Sequence, residues 1–383
     1  MNAKKKIPLY DINLSDAAKS NVNSVLDSGW LSPGKYSKKF EEKICALTNC
    51  KHGVVCSSAT DSLQLALFAL GIGAGDEVIT TPFTFVATIE AILAVGATPV
   101  FADIQKDSLH IDPVSVETKL TPATKAIITV DIGGEACDYQ TLKKICTGHK
   151  IALIADSAHA IGTTYKKKYI THYADAVVVS FHTTKNLICG EGGIVLSRHK
   201  SMTDSIRLIS RHGMTKTASD RKKSNSWEYD IVSPGIKANM SEVHAAIGLG
   251  QLTVFKKEQS QRKKIAERYL KNLSMLKEFI SLPSKESSNE HGWHLFIIQL
   301  NHEKINLSRD DFIREMAKKG IECGVHYKPL FEMTYYKKAM QLKSENFPNA
   351  KLAGQSVVTL PLYPILNLSD IDYISDSIKK ILL

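Results

Sequence analysis

The chain has 383 residues, of which 43% are hydrophobic and 23% are charged, and its formal net charge is +10. The length is sufficient for one large and one small domain. The composition is typical of an ordinary globular protein and argues against extensive disorder. No apolar run approaches the ~20 residues that a membrane span needs, and the N-terminus lacks the apolar core of a signal peptide, so we expect a cytoplasmic protein without a membrane partner.

Cysteines and basic residues give no sign of a metal site or a nucleic-acid partner. The seven cysteines are an odd number and include no C-x-x-C pair, so neither a disulfide framework nor a zinc site is encoded. The basic residues occur in short scattered runs, and no nucleic-acid-binding signature accompanies them. Scattered lysines usually form a solvated face, so we do not expect a nucleic-acid partner.

The first element in chain order is a predicted amphipathic helix, "LSDAAKSNVNSVLDSGW" (14–30), with Ser15 placed as its N-cap and Gly29 as its end. From residue 50 to about 200, short apolar runs such as "HGVVCS", "DEVITT", "IALIAD" and "GGIVLS" alternate with helix-like segments. This alternation predicts a mainly parallel sheet covered by helices.

A glycine-rich stretch, "GIGAGDE" (71–77), is similar to a dinucleotide-binding fingerprint. That fingerprint needs a strand before it and a helix that opens inside it, whereas here a helix precedes the stretch and a strand follows. We therefore predict a helix C-cap and a turn.

After residue 241 the pattern changes. The segment "SEVHAAIGLGQLTVFKKEQSQRKKIAERYLKNL" (241–273) carries apolar residues at helical spacing and is long enough to connect two domains. The stretches "HLFIIQL", "IECGVHY" and "DIDYISDSIKKILL" then suggest a smaller α+β unit. We predict a large α/β domain over residues 1–250 and a small C-terminal α+β domain over residues 251–383.

Small polar residues follow the first predicted strand in "CSSATDSLQLAL" (56–67). The backbone N–H groups of Ser58, Ala59 and Thr60 would lie at a helix N-terminus, where unpaired donors and the helix dipole favour a phosphate. The alternative is a plain capped helix with Ser58 or Thr60 as its N-cap.

Asp156 ends another predicted buried strand in "IALIADSAHAIG" (151–162). A carboxylate there needs a partner, and a protonated ring nitrogen would be a suitable one. His159, three residues on, could hold Asp156 or contact the same ligand. The alternative is that Asp156 caps the next helix.

Lys185 follows a third strand, "DAVVVSF", in "SFHTTKNLICGEGG" (180–193). By its position alone it could be a nucleophile, a phosphate contact or a solvated surface residue. A lysine amine, a buried aspartate and a phosphate cradle at the strand ends of one sheet together fit pyridoxal 5′-phosphate (PLP). The lysine would form the Schiff base, and the aspartate would hold the pyridinium proton.

The sequence resembles the sugar aminotransferases named for their DegT, DnrJ, EryC and StrS members, which have the aspartate-aminotransferase fold, fold type I of the PLP enzymes. The resemblance covers nearly the whole chain and includes the following stretches: "SGWLSPGKYSKKFEE" (28–42), "SSATDSLQLAL", "TPFTFVATIEAILAVGATPVFADI" (81–104), "ADSAHAIGTTYKKK" (155–168), "SFHTTKNLICGEGG", "PGIKANMSEVHAAIGLGQL" (234–252) and "LPLYPILNLSDID" (360–372). It implies a mainly parallel sheet of the seven-stranded type that binds PLP, followed by the small C-terminal domain.

The resemblance also implies roles for individual residues. Lys185 would be the Schiff-base lysine, Asp156 the pyridinium partner, and His159 a neighbour of the cofactor ring. The phosphate would lie against Ala59, Thr60 and Ser180, together with Ser58, and Phe85 would stack on the ring; without the resemblance, Phe85 would be assigned to the core. We also predict that Lys237 helps to bind the cofactor and that His326 and Tyr327 bind substrate.

Four positions depart from the usual family pattern. Asp131 stands where a histidine is usual, and Gly133 stands where a tyrosine is usual, in "DIGGEACDY" (131–139). In "GIKANMS" (235–241), Lys237 has the place of an asparagine and Asn239 that of an arginine.

The implied reaction is a transamination. An amino donor, expected to be glutamate, would convert PLP to pyridoxamine 5′-phosphate (PMP), and a keto sugar on a nucleotide diphosphate would accept the amine, to make an amino sugar for a surface polysaccharide, glycan or antibiotic. The resemblance further implies a homodimer with sites at its interface.

One alternative is a sugar dehydratase of the same family, but such members carry histidine in place of Lys185. Another alternative is a non-catalytic regulator that retains the fold.

Overall fold

The structure is a computed structural model that describes residues 6–217, 220–221, 225–284 and 289–383. Its α-helices are α1 (Asp16–Ser28), α2 (Lys35–Leu47), α3 (Ala59–Ala69), α4 (Ala87–Ala94), α5 (Pro113–Glu117), α6 (Tyr139–His149), α7 (Lys200–Ile209), α8 (Glu242–Leu273), α9 (Arg309–Lys318), α10 (Thr334–Ala339), α11 (Pro348–Ser356) and α12 (Leu368–Leu382). Its strands are β1 (His52–Cys56), β2 (Glu77–Thr80), β3 (Thr98–Phe101), β4 (Thr124–Val130), β5 (Ala152–Asp156), β6 (Thr164–Tyr165), β7 (Lys168–Tyr169), β8 (Ala176–Ser180), β9 (Gly193–Ser197), β10 (Ile280–Ser281), β11 (Phe296–Leu300) and β12 (Val357–Leu360).

The main sheet has seven strands in the order β1-β9-β8-β5-β4-β2-β3. Strands β3, β2, β4, β5 and β8 are parallel, and β9 runs antiparallel to both of its neighbours. The predicted α/β fold with a mainly parallel sheet is therefore confirmed. In the register of the sheet, Asp156 at the end of β5 lies opposite Val130 of β4 and Val178 of β8. Parallel strands thus bring several chain segments to one edge of the sheet.

The local signals at two predicted helix ends are also confirmed. The Ser15 hydroxyl accepts a hydrogen bond from the Ala18 N–H at the start of α1, and Gly29 ends this helix with φ 64°. In the glycine-rich stretch 71–77, Gly71 and Gly75 have φ values of 72° and 90°, which glycine adopts readily. The stretch is a turn between α3 and β2, as predicted.

The long helix α8 takes part in two apolar cores. Ala245 and Phe255 in its first half belong to a core of the main sheet, whereas Ile265 and Tyr269 in its second half pack with the small antiparallel sheet β10-β11-β12. The predicted boundary between residues 250 and 251 falls inside this helix. The division into domains 1–250 and 251–383 stays a prediction.

Neither a membrane span nor a disulfide is found in the described residues. No helix there combines the length and the apolarity that crossing a bilayer requires. The seven cysteines are free thiols, five of them buried and two partly exposed. Burial raises the pKa of the thiols, for example to about 12 in Cys56 and in Cys146, which keeps these groups protonated and weakly nucleophilic near neutral pH.

A buried carboxylate joins α8 to the start of α2. Glu242, 2% exposed, accepts hydrogen bonds from the backbone N–H groups of Gly34 (2.8 Å), Tyr36 (2.7 Å) and Ser37 (2.8 Å). These donors lie at a helix N-terminus, where the backbone N–H groups have no carbonyl acceptor in a preceding turn and a negative charge is favoured. One side chain therefore satisfies three donors from a segment more than 200 residues away.

We expect Glu242→Ala to lower the free energy of unfolding by about 3 kcal/mol, because it leaves buried donors without an acceptor. Glu242→Gln, which keeps one oxygen, should cost less. Lys264→Ala, at an exposed position of α8, is the control and should change stability by about 0.5 kcal/mol or less. Urea unfolding measures all three, and equal stability of the Ala variant and the parent would contradict this account of Glu242.

Candidate active site

The ends of β1, β5 and β8 open onto one cavity of about 340 Å³, which we call the cofactor cavity. With one exception, Lys237, the predicted site residues all line it: Ser58, Ala59, Thr60, Phe85, Asp156, His159, Ser180, Lys185, His326 and Tyr327. The volume lies in the range of cavities that hold small ligands. Residues that are up to 269 positions apart in the chain therefore share one concave site.

The N-terminus of α3 forms one end of the cavity. The Ser58 hydroxyl accepts a hydrogen bond from the Asp61 N–H (3.0 Å), so Ser58 is the N-cap. The N–H groups of Ala59 and Thr60 have no acceptor within the described residues. A Cβ at Gly193 would lie 2.5 Å from the Ser58 carbonyl oxygen, so this turn packs closely on β9. Ser58 therefore caps α3, as the alternative interpretation of this segment predicted. The cap still leaves the N–H groups of Ala59 and Thr60 free, so the helix N-terminus can also bind a phosphate.

Asp156 is buried, and its carboxylate accepts hydrogen bonds from the Thr88 hydroxyl (2.8 Å) and from the Ala158 N–H (3.2 Å). Burial raises the pKa of this carboxyl, whereas the bonds from Thr88 and Ala158 and the positive charge of Lys185 act in the opposite direction. Asp156 caps no helix, since the next residues form a turn. A buried carboxylate of this kind is stabilised by a ligand that brings a cation.

Lys185 lies in a turn after β8, and its backbone N–H donates to the His182 carbonyl (2.9 Å). The structure places it in the wall of the cavity rather than on the solvated surface that its position alone also allowed. Burial lowers the pKa of the Lys185 amine to about 8, and the negative charge of Asp156 opposes this shift. A substantial fraction of the amine is therefore neutral, and nucleophilic, near physiological pH.

His159 is held between a backbone donor and a phenol. Its Nδ1 accepts from the Gly133 N–H (3.3 Å), and its Nε2 lies 3.0 Å from the Tyr327 hydroxyl. Burial and the positive charge of Lys185 keep the pKa of His159 well below its usual range. A neutral ring with Nδ1 as acceptor carries its proton on Nε2, so the Tyr327 oxygen accepts and its own O–H can donate into the cavity.

The remaining cavity residues differ in exposure. Phe85 has 57% of its surface exposed, which is unusual for a large aromatic side chain and leaves its ring available for stacking. His326 Nδ1 lies 2.8 Å from the Thr359 hydroxyl, and burial lowers the pKa of His326 to about 4. The histidine is therefore neutral near physiological pH. The interpretation of Phe85 as a core residue is wrong for this chain.

Lys237 is the predicted cofactor contact that the structure does not bring to this cavity. Its segment pairs with the end of β1, because the Ser57 N–H donates to the Ala238 carbonyl (2.8 Å). Lys237 Nζ, however, donates to Asn239 Oδ1 (2.6 Å), and both side chains line a different cavity with Trp30 and Arg211. In this chain the amine of Lys237 faces away from the phosphate cradle.

Two of the family departures lie next to the site rather than in it. Asp131 is fully buried and accepts from Tyr139 (2.8 Å), Ser157 (2.5 Å) and the Cys137 N–H (3.0 Å), and burial raises the pKa of its carboxyl. Gly133, with φ 69°, supplies the backbone donor to His159. The first departure is therefore a satisfied core carboxylate, and the second orients a cavity residue.

Sequence reasoning missed several polar residues of the site, and two of them contact predicted site residues directly. Thr88, in the first turn of α4, donates to Asp156, and its hydroxyl lies 3.0 Å from that of Thr84 in the segment before the helix. The His294 ring contacts that of His159, with centroids 4.4 Å apart and the ring planes tilted by 49°, and His294 Nδ1 lies 3.1 Å from Asn186 Oδ1. The distance of His294 along the chain from the rest of the site left no local signal.

The residues of the cofactor cavity fit PLP in their chemistry. Two free N–H donors at a helix N-terminus suit a phosphate, and a buried carboxylate that forms no ion pair within 4 Å in the described part of the chain suits a protonated ring nitrogen. An amine of lowered pKa suits an aldehyde carbon. These three features belong to Ala59 and Thr60, to Asp156 and to Lys185.

Comparisons with known proteins agree with this chemistry. The sequence pattern of the DegT/DnrJ/EryC1/StrS aminotransferase family matches residues 13–379. The spore coat polysaccharide biosynthesis protein SpsC of Bacillus subtilis is 40% identical over 362 residues, which are 94% of this chain and 93% of that protein. The putative sugar aminotransferase Spr1654 from Streptococcus pneumoniae, solved in PLP and PMP forms, is similar at TM-score 0.92 and 33% identity, with 98% of each chain covered. Helicobacter pylori PseC, an aminotransferase involved in the biosynthesis of pseudoaminic acid, is similar at TM-score 0.90 and 29% identity, with 99% of each covered.

The lowered pKa of Lys185 predicts its reactivity in the cofactor-free protein. Reductive methylation needs the neutral amine, so its rate at Lys185 should rise with pH to a midpoint near 8, whereas ordinary exposed lysines have a pKa of about 10.4. Asp156 raises this pKa, so Asp156→Asn should move the midpoint below 8. Mass spectrometry of peptides measures both, with the exposed lysines as internal controls. A midpoint near 10, unchanged by Asp156→Asn, would show that the site does not perturb Lys185.

Proposed function

The chain belongs to the DegT/DnrJ/EryC1/StrS aminotransferase family, and we propose that its cofactor cavity transfers an amino group from glutamate to a keto sugar carried on a nucleotide diphosphate. The protein is a PLP-dependent sugar aminotransferase, in keeping with its family and with the similar Spr1654, which was solved in PLP and PMP forms. The observation that carries the proposed site is the meeting of Lys185, Asp156 and the free N–H groups of α3 in one cavity. The names of the relatives support a role in making an amino sugar for a surface polysaccharide or glycan.

Each residue has a separate task in this proposal. Bound PLP supplies an electron sink that allows an amino acid to lose the proton of its α-carbon. Lys185 would hold the cofactor in the resting enzyme, and its free Nζ would take up that proton and return it. Because burial sets the pKa of Lys185 near 8, the amine can both accept and give up a proton near physiological pH.

Asp156 holds a proton on the ring nitrogen, and Thr88 orients the Asp156 carboxylate by its 2.8 Å hydrogen bond. His159 stays neutral, so it adds no positive charge beside the ring. Its contact with Tyr327 leaves the tyrosine O–H as a donor toward the substrate. Ala59, Thr60 and Ser180 bind the phosphate through backbone and hydroxyl donors.

The two alternatives from the sequence are not favoured. A dehydratase of this family carries histidine in place of Lys185, whereas this chain keeps the lysine and its perturbed environment. A non-catalytic regulator is not favoured either, since the family and the similar solved structures are aminotransferases. A cytoplasmic location and a homodimer remain predictions.

The proposed reaction is tested by incubating the PLP-loaded protein with glutamate and a panel of nucleotide-linked keto sugars. Mass spectrometry should show one sugar converted to its amino form and glutamate converted to 2-oxoglutarate. Lys185→Ala should abolish turnover and remain folded, because a turn residue contributes little to the core while the proton transfer has no substitute. Amination at the parental rate by Lys185→Ala would overturn the assignment.

We further propose that Lys237 acts in the partner subunit of a homodimer. Its amine faces away from the cofactor cavity of its own chain, and the segment 235–241 contains glycine and leads directly into α8. A lysine is a suitable point charge for a phosphate. The alternative is a loop lysine whose charge only contacts solvent and Asn239.

A mixed dimer tests this assignment once Lys237→Ala alone is shown to impair turnover. A Lys185→Ala chain is paired with a Lys237→Ala chain. If Lys237 acts in the partner subunit, one site lacks both groups and the other keeps both, so about half of the parental activity should return. If Lys237 acts within its own chain, each site lacks one group and no activity above that of the single variants returns. A fully active Lys237→Ala homodimer would likewise exclude the proposed role.

A further inference from the structure

A second cavity, of about 150 Å³, adjoins the cofactor cavity and shares Lys185, His159 and Tyr327 with it. We call it the donor cavity. It extends from Lys185 toward α8, where Glu258 and Arg262 line its wall. Both cavities therefore open onto the amine that carries the proposed chemistry, but only the donor cavity has an arginine in its wall.

Arg262 is a buried cation with unused donors. Only 6% of its surface is exposed, and its Nη1 donates to the carbonyl oxygens of Leu362 (3.0 Å) and Trp293 (3.5 Å). Its Nε is buried without a partner, and no hydrogen bond from its Nη2 is found within the described part of the chain. Burial lowers the pKa of Arg262 to about 10, so the side chain stays charged near neutral pH. A buried charge with unpaired donors is costly unless a ligand completes it.

The nearest acid of α8 does not complete this cation. Glu258 lies one turn before Arg262 on the helix, yet the described residues hold no ion pair between the two within 4 Å. Burial raises the pKa of Glu258, and the charge of Arg262 opposes this. The two groups influence each other without direct contact. Arg262 Nη2 therefore stays available for a ligand, while Glu258 adds a negative potential that an anion in the donor cavity must overcome.

The size and charge of the donor cavity point to a carboxylate rather than a phosphate. A guanidinium fork matches one carboxylate through two parallel hydrogen bonds. A volume of about 150 Å³ suits a small amino acid, not a nucleotide. Asp11 also lines this cavity, and two acids disfavour the closely spaced charges of a diphosphate more than the separated carboxylates of an amino acid. The cofactor phosphate has its own donors at α3.

We infer that the donor cavity binds the amino donor and that Arg262 binds one of its carboxylates. This inference rests on the proposed function, because it assumes that the donor reacts at Lys185. Under this inference, the nucleotide-linked sugar binds in the cofactor cavity and on the open surface beyond it. The structural alternative is that Arg262 only ties α8 to the carbonyls of Leu362 and Trp293.

The test measures binding of glutarate, a dicarboxylate that has no amine to transfer, to the PLP-loaded protein by calorimetry. Glutarate should bind the parent, whereas its neutral diamide should not. Arg262→Met should weaken glutarate binding by roughly tenfold or more, as expected for loss of one partner of a buried charged pair. Arg262→Lys keeps the charge but loses the fork, so it should weaken binding less. Glu258→Gln should tighten binding, which a purely structural role of Arg262 does not predict.

The control is Lys263→Met, which should bind glutarate like the parent. Lys263 is exposed, follows Arg262 in the chain and lies 3.6 Å from Glu290. If Arg262→Met fails to fold, the glutarate affinities of Arg262→Lys and Glu258→Gln test the inference. Parental affinity in Arg262→Lys and Glu258→Gln, or no glutarate binding to the parent, would overturn the inference.

The sugar assay separates the two claims. Glutarate binding that depends on Arg262, with no sugar aminated, would contradict the proposed function alone. Sugar amination with glutarate affinity unchanged in Arg262→Met would contradict the inference alone.

Discussion

The site depends on two opposite charges at one edge of a parallel sheet, the buried Asp156 and the partly exposed Lys185. Burial raises the pKa of Asp156 and lowers that of Lys185, and each group partly restores the charged form of the other. Neither charge is well accommodated without a ligand. A cofactor that brings a protonated ring nitrogen to Asp156 and an aldehyde to Lys185 relieves both costs at once. The residues of the cavity therefore suit a ligand that carries these two groups in one ring system.

The fold supplies this arrangement through its topology. Strands β5 and β8 are neighbours and parallel, so Asp156 and the turn that carries Lys185 emerge at the same edge. β9 returns antiparallel and places Gly193 against the first turn of α3, which positions the free N–H groups for the phosphate. Helix α8 then spans both apolar cores, and its Glu242 holds the start of α2. Positions in distant parts of the chain thus converge without any local sequence link between them.

The sequence predicted those parts of the fold and site that rest on local patterns. Buried strands were visible as apolar runs, and the polar residues at their ends, Asp156 and Lys185, stood out because nothing in a strand end requires a charge. Contacts that form only in three dimensions carried no such signal: His294 reaches the site from the segment before β11, and Arg262 is unusual only because the fold buries it. The role of Gly133 could not be predicted either, because it is a hydrogen bond from the backbone N–H, and the type of a side chain does not reveal such a bond.

The most direct test of the central claim is to locate the lysine that binds the cofactor. The PLP-loaded protein is reduced with borohydride, digested and mapped by mass spectrometry, with Asp156→Asn treated in parallel. The account predicts a phosphopyridoxyl group on the peptide that contains Lys185 in both proteins. A group found on another lysine, or no labelled peptide from a protein that has been saturated with PLP, would contradict it.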